Sequence, residues 1–383
     1  MEQFICGKCE SMCPKSEIEL RTREKLLHFY ELRSSGARQP SEPSRVVKEF
    51  SRSAAGVKRP KETDIRSVQA LKRTVKYLLT EVFHDDRRSY NFKYDFIFDR
   101  LRAVRQEMVM QNLSAEKTLQ LLEPIIRFLA YSAYRLCEAP ISEFDPKICN
   151  THLQECLKKA LRCYDELNKQ SPNRTEMEGL YLMFNLGHTE ALNRGISLPS
   201  KLKESLRTLL RMNIEYHRGN FYRVLHAIQK LPPLEAALAV LKLAEIRRQM
   251  LLRFSVAFQS KVLIVPLEWL HHVLHYQKCE GLALIDDCKY YNLQVIDQSA
   301  RSTKTKTDWW EDDEDSPSEP KADAAGGQRQ LSHLNQKSVK FEKAQFDANK
   351  PANQPRRMEF VDRALGSVKA ISALMIGGDA DTC

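Results

Sequence analysis

Cys6, Cys9 and Cys13 open the chain in C-x2-C-x3-C spacing. Thiolates this close can grip zinc, but a structural zinc site asks for four Cys or His ligands. No second ligand pair follows, and His28 lies far along the next helical stretch, so ordinary reduced thiols are expected here. A second grouping is Glu268, His271, His272 and His275. Glu268 and His271 are i, i+3, and His271 and His275 are i, i+4, so one helical face carries three possible ligands. A di-iron centre needs a second such helix. None is visible, and a helix with partly buried imidazoles is expected instead. His84-Asp85-Asp86 hints at a metal-dependent hydrolase, yet its partner residues are missing at recognisable spacing. The chain has no phosphate-cradling glycine loop, no G-x-S-x-G and no Cys–His signature. Thirteen glycines in 383 residues leave little material for a loop-built active site. No enzyme, metal or cofactor is expected.

Charge carries more. Sixty Lys and Arg against fifty Asp and Glu give a net +10, and the surplus is local: residues 45–76 hold ten Lys or Arg and three Asp or Glu. Such a concentration is the footprint of a phosphate-bearing or acidic partner. A solvated loop beside an acidic element of the same protein is the alternative. The candidate contacts are Arg45, Lys48, Arg52, Lys58, Arg59, Lys61 and Arg66. Ser53-Ala54-Ala55-Gly56, among them, lacks bulk, so its backbone can lie close to neighbouring helices and fix the cations in place.

Elements that would position these groups are almost all helical. Pro14 suits a helix start, with Ile18, Leu26, Leu27 and Tyr30 in helical period over 14–33. Residues 43–56 read as one or two helical turns ending at Gly56. Apolar stripes follow: Ile65, Val68, Leu71, Val75 and Leu78; then Ile97, Leu101, Val104 and Met108, leaving Arg100, Arg102 and Arg105 elsewhere on that helix; then Leu119, Leu122, Ile126, Leu129 and Leu136, with Pro124 kinking or starting that helix. Further helices fit 147–168, 176–193, 200–217, 220–230 and 233–256, joined by short turns. Successive amphipathic helices with few strand signals point to an all-α fold, an α-solenoid of degenerate helix pairs.

From 261 the character changes. A short strand, helices over 267–276 and 280–290, a strand at 293–296, a loop and a strand at 339–346 form the order of a winged helix. An acidic insertion would expand its wing, and its composition predicts disorder. The second helix carries Glu280, Asp286 and Asp287 against Lys289, so this module is expected to dock protein, not DNA. The domain plan is 1–63, an N-terminal motif and basic segment; 64–256, helical repeats; 257–300, the winged helix continued by 337–346; 301–336, the acidic loop; and 359–376, an amphipathic helix expected to pack on the body. The N-terminus lacks a secretory pattern and no apolar run reaches bilayer length, so a soluble intracellular protein is expected.

Four stretches carry a resemblance: "GKCESMCPKSEIELR" (7–21), "VVKEFSRSAAG" (46–56), "DIRSVQALKRTVKYLL" (64–79) and "FIFDRLRAVRQEMVMQ" (96–111). Together they are similar to the Sac-three/GANP family of helical scaffolds. Lys15, Ile65-Arg66-Ser67 and the extra Cys6 depart from its pattern. The resemblance implies helical repeats ending in a winged helix, as in PCI-type subunits. It also implies pairing with another PCI protein through the winged helices, placing Trp269, Tyr290 and Tyr291 as candidate partner contacts, and nucleic-acid binding by basic residues nearby. Large members scaffold a nuclear-pore-associated mRNA-export complex. This chain looks like the short animal branch associated with centrosome duplication and spindle assembly. A non-enzymatic scaffold in centrosome duplication, spindle assembly and mitotic progression is expected, in cytoplasm, centrosome and spindle. The alternative is a nuclear mRNA-export subunit with a PCI-type partner and RNA. The other partners implied are centrosomal proteins, and no membrane is expected.

Overall fold

A computed structural model describes residues 4–32, 43–52, 60–167, 171, 173–277, 280–297, 334, 336–342 and 345–377. Among the described residues the chain is mostly helical with one small sheet, consistent with an all-α, solenoid-like fold. It divides into two compact units: Met1–Arg211 with Pro232–Ala239 and Phe360–Cys383, and Met212–Leu231 with Val240–Glu359.

The helices of the first unit include α1 (Lys15–Arg23), α2 (Val68–Tyr77), α3 (Tyr90–Met110), α4 (Ala115–Arg135), α5 (Pro146–Leu167), α6 (Arg174–Phe184), α7 (Thr189–Ser197) and α8 (Ser200–Ser205). Local chemistry explains several starts. The Ser67 side chain accepts from the Ala70 amide at the head of α2, satisfying one of the donors a helix start leaves unpaired. Pro146 takes the first position of α5, where its missing N–H costs nothing. Pro124 is accommodated inside α4. The expected stripes are the core: Ile97, Leu101 and Val104 of α3 and Leu119, Leu122, Ile126 and Leu129 of α4 are all buried. α4 packs on α5, α5 on α6 and α6 on α7, so neighbours in sequence are neighbours in space.

Two sequence expectations fail at the N-terminus. The helix over 14–33 stops at Arg23. Lys25 sits at φ 58, a left-handed conformation that ends a helix, and a single 3-10 turn, Phe29–Glu31, follows. The reason is a buried ion pair: Arg21 bonds Glu31, and both are sealed from solvent, which turns the chain back instead of letting it run on. The turns expected over 43–56 reduce to a 3-10 turn, Pro43–Arg45, and a stretch without regular structure over 46–52. Residues 53–59 lie outside the described residues. The helix expected over 176–193 divides into α6 and α7 at Gly187 (φ 89). That over 200–217 divides between α8 and α9 (Arg207–His217), and that over 233–256 between α11 (Pro233–Val240) and α12 (Leu243–Ala257).

In the second unit α10 (Phe221–Ile228) and α12 accompany a strand–helix–helix–strand–strand module: β1 (Val265–Pro266), α13 (Leu267–Val273), α14 (Gly281–Tyr290), β2 (Gln294–Asp297) and β3 (Lys337–Lys340). The sheet order is β1-β3-β2, antiparallel throughout, with Val339 opposite both Val265 and Val295. That is winged-helix connectivity. Its core is Leu267, Leu270, Leu284, Cys288, Val339 and Phe341. The last strand lies slightly upstream of the expected 339–346. Of the acidic loop expected over 301–336, all but Leu334 and Gln336 falls outside the described residues.

The C-terminal stretch is two helices, α15 (Glu359–Leu365) and α16 (Val368–Ile376). Gly366 at φ 74 breaks them apart, a conformation that costs glycine nothing, and Ser367 caps the second. Within the first unit, Ile371 and Met375 are buried, Ser372 Oγ donates to the Leu79 carbonyl at 2.7 Å, and Tyr134 Oη donates to Asp362 at 3.0 Å.

Candidate interaction surface

The residues singled out for chemistry are dispersed. Cys6 is exposed while Cys9 and Cys13 are buried, and all three are free thiols. Burial pushes the Cys13 thiol far up, with Glu17 adding to the shift. His271 is buried, with Nε2 at 2.9 Å from the Gln277 carbonyl, and His272 is exposed. Burial, then the neighbouring His226, holds His275 down at about 4. Asp85 pairs with Arg87 and Asp86 with Lys93. Among the described residues, no three His, Cys, Asp or Glu side chains converge as metal ligands.

The basic segment separates into two classes. Arg66 is 0% exposed: its Nε donates to Glu107 at 2.8 Å and its Nη1 reaches the Met12 carbonyl. Lys48 meets the same buried carboxylate at 2.6 Å. Arg66 is no surface contact, which corrects the expectation for it: a desolvated cation needs an internal anion. Lys48 is half-buried and directs its ammonium to that same carboxylate. Arg45, Arg52 and Lys61 are exposed, Arg45 standing 3.9 Å from Glu81. Lys58 and Arg59 lie outside the described residues.

Beside this segment a groove of about 440 Å³ opens between Phe50, the end of α3 and one face of α5. Met108, Leu113, Leu122 and Cys156 contribute apolar walls, and Arg102, Arg105 and Lys159 line it as well. Arg102 lies over the Phe50 ring, 3.8 Å from its centroid, a cation–π contact. Arg105 donates to His152 Nδ1 at 2.6 Å and to Glu155 at 2.8 Å. Burial and then Arg105 hold His152 below its ordinary value, so its ring is neutral near pH 7. Arg102 and Arg105 stood off the apolar stripe of α3 in sequence, which was the available signal; pairing them with Lys159 required the fold.

In the second unit Trp269 is half-buried against the rings of Phe254 and Phe258. Tyr290 is half-buried with Lys350 over its ring. Tyr291 is 2% exposed, stacked on Phe346 and donating to the Pro351 carbonyl. It is a core residue, and its place among partner contacts is corrected: its hydroxyl and ring are both used within the module.

Residues 12–297 match the SAC3/GANP family. The chain belongs to that family. Relatives include Protein xmas of Drosophila melanogaster, 28% identical over 305 residues (76% of this chain and 14% of the relative). SAC3 family protein B of Arabidopsis thaliana is 26% identical over 266 residues (65% and 15%). SAC3 family protein 1 of Schizosaccharomyces pombe is 24% identical over 318 residues (76% and 30%). The chain thus spans less than a third of these relatives' own lengths.

The four stretches that carry the resemblance meet in one place. Glu107, from the fourth, takes Lys48 from the second and Arg66 from the third. Gln111, again from the fourth, accepts from the Gly7 amide of the first at 3.1 Å and donates to the Arg66 carbonyl at 3.0 Å. The first stretch lies along the third as a parallel strap, with Cys9 N on the Ile65 carbonyl and Ser67 N on the Cys9 carbonyl.

Proposed function

We propose that the chain is a non-enzymatic scaffold, working by presenting shaped helical and winged-helix faces to other macromolecules, in centrosome duplication, spindle assembly and mitotic progression. One observation supports the scaffold half: the residues singled out for chemistry are dispersed, with Asp85, Asp86 and His271 held in internal pairings, while cationic and aromatic side chains stand at least partly exposed in both units. The mitotic half rests on the likeness to the short animal branch given in the sequence analysis, and no motif of its own carries it. Partners are a PCI-type subunit or centrosomal proteins, met through the winged helix at Trp269 and Tyr290. Val262, 85% exposed, and Leu263, 44% exposed, precede β1 in the same module and offer further apolar surface. The site of action is the cytoplasm, centrosome and spindle.

The test is depletion and rescue. Cells depleted of the protein are expected to show abnormal centrosome numbers, restored by the natural chain and not by one carrying Trp269→Ala with Val262→Asp. Normal centrosome counts after depletion, together with capture of nuclear-pore proteins from interphase cells, would replace this function with the second one.

That second function is mRNA export with RNA bound directly, favoured by exposed Arg45, Arg52 and Lys61. A chain with all three changed to Glu, titrated with labelled oligo-uridylate over a salt series, should bind more weakly. Its log–log salt slope should shrink by about two, at roughly 0.7 per single-strand phosphate contact. An unchanged slope removes RNA from those residues.

A further inference from the structure

We propose that the groove beside Phe50 docks a short acidic peptide segment of a partner protein, anchored by an aliphatic side chain. This deepens the scaffold function above and rests on it. The walls come first. Met108, Leu113 and Leu122 form an aliphatic and thioether surface, a lining that adapts to branched side chains. Val109, at the same groove, is 76% exposed. A volume of about 440 Å³ lies in the range of ligand sites and holds a few side chains.

Charge selects what flanks the anchor. Arg102, Arg105 and Lys159 face one carboxylate, Glu155, which is already paired with Arg105 at 2.8 Å. A cationic excess therefore remains around an apolar floor. Guanidinium groups take carboxylates through paired, charge-assisted hydrogen bonds. An acidic segment with a leucine-like residue satisfies both features. RNA fits less well, because base recognition without pairing relies on open aromatic faces. Phe50 already carries Arg102, and the His152 ring meets Phe98 edge-on at 5.1 Å.

The probe is a random twelve-residue peptide library displayed on phage, selected against the full chain, followed by anisotropy with the most enriched peptide. The expected outcome is enrichment of sequences with two or more Asp or Glu around a Leu, Ile or Met. Affinity should fall at least tenfold in Val109→Asp and in Lys159→Glu, both exposed positions, with circular dichroism confirming unchanged folding. No enrichment, enrichment of neutral or basic sequences, or binding indifferent to both substitutions overturns the proposal. So does labelled oligo-uridylate binding that depends on Val109 and Lys159 where peptide binding does not. Centrosome rescue by the Val109→Asp chain, with peptide binding lost, would leave the scaffold function standing apart from this groove; failure of the peptide arm with centrosome defects intact would overturn the groove assignment alone.

Discussion

Arg66 Nε donates to Glu107 Oε2 at 2.8 Å across 41 residues of sequence, and neither side chain is exposed by more than 2%. Glu107 also holds Lys48, so one buried carboxylate neutralises two cations. Glu107→Ala would strand both charges. Removing one partner of a buried pair costs about 3–5 kcal/mol, and a urea melt should show that loss. Glu107→Leu combined with Arg66→Met should recover much of it. A single substitution that leaves the midpoint unmoved would mean that the pair has little part in stability.

The strap formed by the first stretch makes a narrower prediction. A Cβ at Gly7 would overlap the Arg66 carbonyl oxygen. Gly7→Ala should therefore lift the strap and cost about 1–3 kcal/mol, the usual range for overpacking. Faster hydrogen exchange at the amides of Cys9 and Ser67, which bond the Ile65 and Cys9 carbonyls, is the readout. Unchanged exchange at both would show that the backbone absorbs the methyl group.

The long apolar stripes of α3 and α4 were legible because a 3.6-residue period reports burial directly. The winged helix was legible from element order, though its strand pairing needed the structure. Arg66 was misread, and the pairing of half-buried Lys48 missed, because a local count of charge does not know where its counterion is: Glu107 lies a helix away in sequence. The helix over 14–33 was misread for the same cause, since Leu26, Leu27 and Tyr30 keep the period while Arg21 and Glu31 draw the backbone into a turn. Tyr291 was taken for a surface aromatic. Its partner Phe346 follows the acidic insertion, too far along the chain for any window to join them.

The C-terminal helices should behave as part of the first unit. Met375 is 0% exposed, and Arg127 reaches its carbonyl at 3.4 Å. Met375→Ala should cost about 2–5 kcal/mol as a buried truncation, whereas Ile376→Ala, at a position 38% exposed, should cost far less. Limited proteolysis after Gly366 in the first variant alone would match this packing. Equal susceptibility of both variants would argue that the last helix does not contribute to the core.

Glu235 supplies a pH dependence. It is 6% exposed, beside Gly179, and burial, more than the nearby Glu176, raises its carboxyl from the ordinary 4.5 to about 7. Below about 4.5 both the folded and the unfolded chain hold the proton, and this residue adds no pH dependence. Between 4.5 and 7 the unfolded chain releases the proton while the folded chain keeps it, so stability falls as pH rises. Above 7 the folded carboxylate is charged and the penalty is complete, up to about 3 kcal/mol at roughly 1.4 kcal/mol per pKa unit. Glu235→Gln keeps the shape and removes the ionisation. It should stabilise the protein at pH 8 by an amount of that order and have little effect near pH 4.5, as urea midpoints at the two pH values would register. A stability difference of equal size at both would mean that the effect is one of packing and that Glu235 titrates as an ordinary carboxyl.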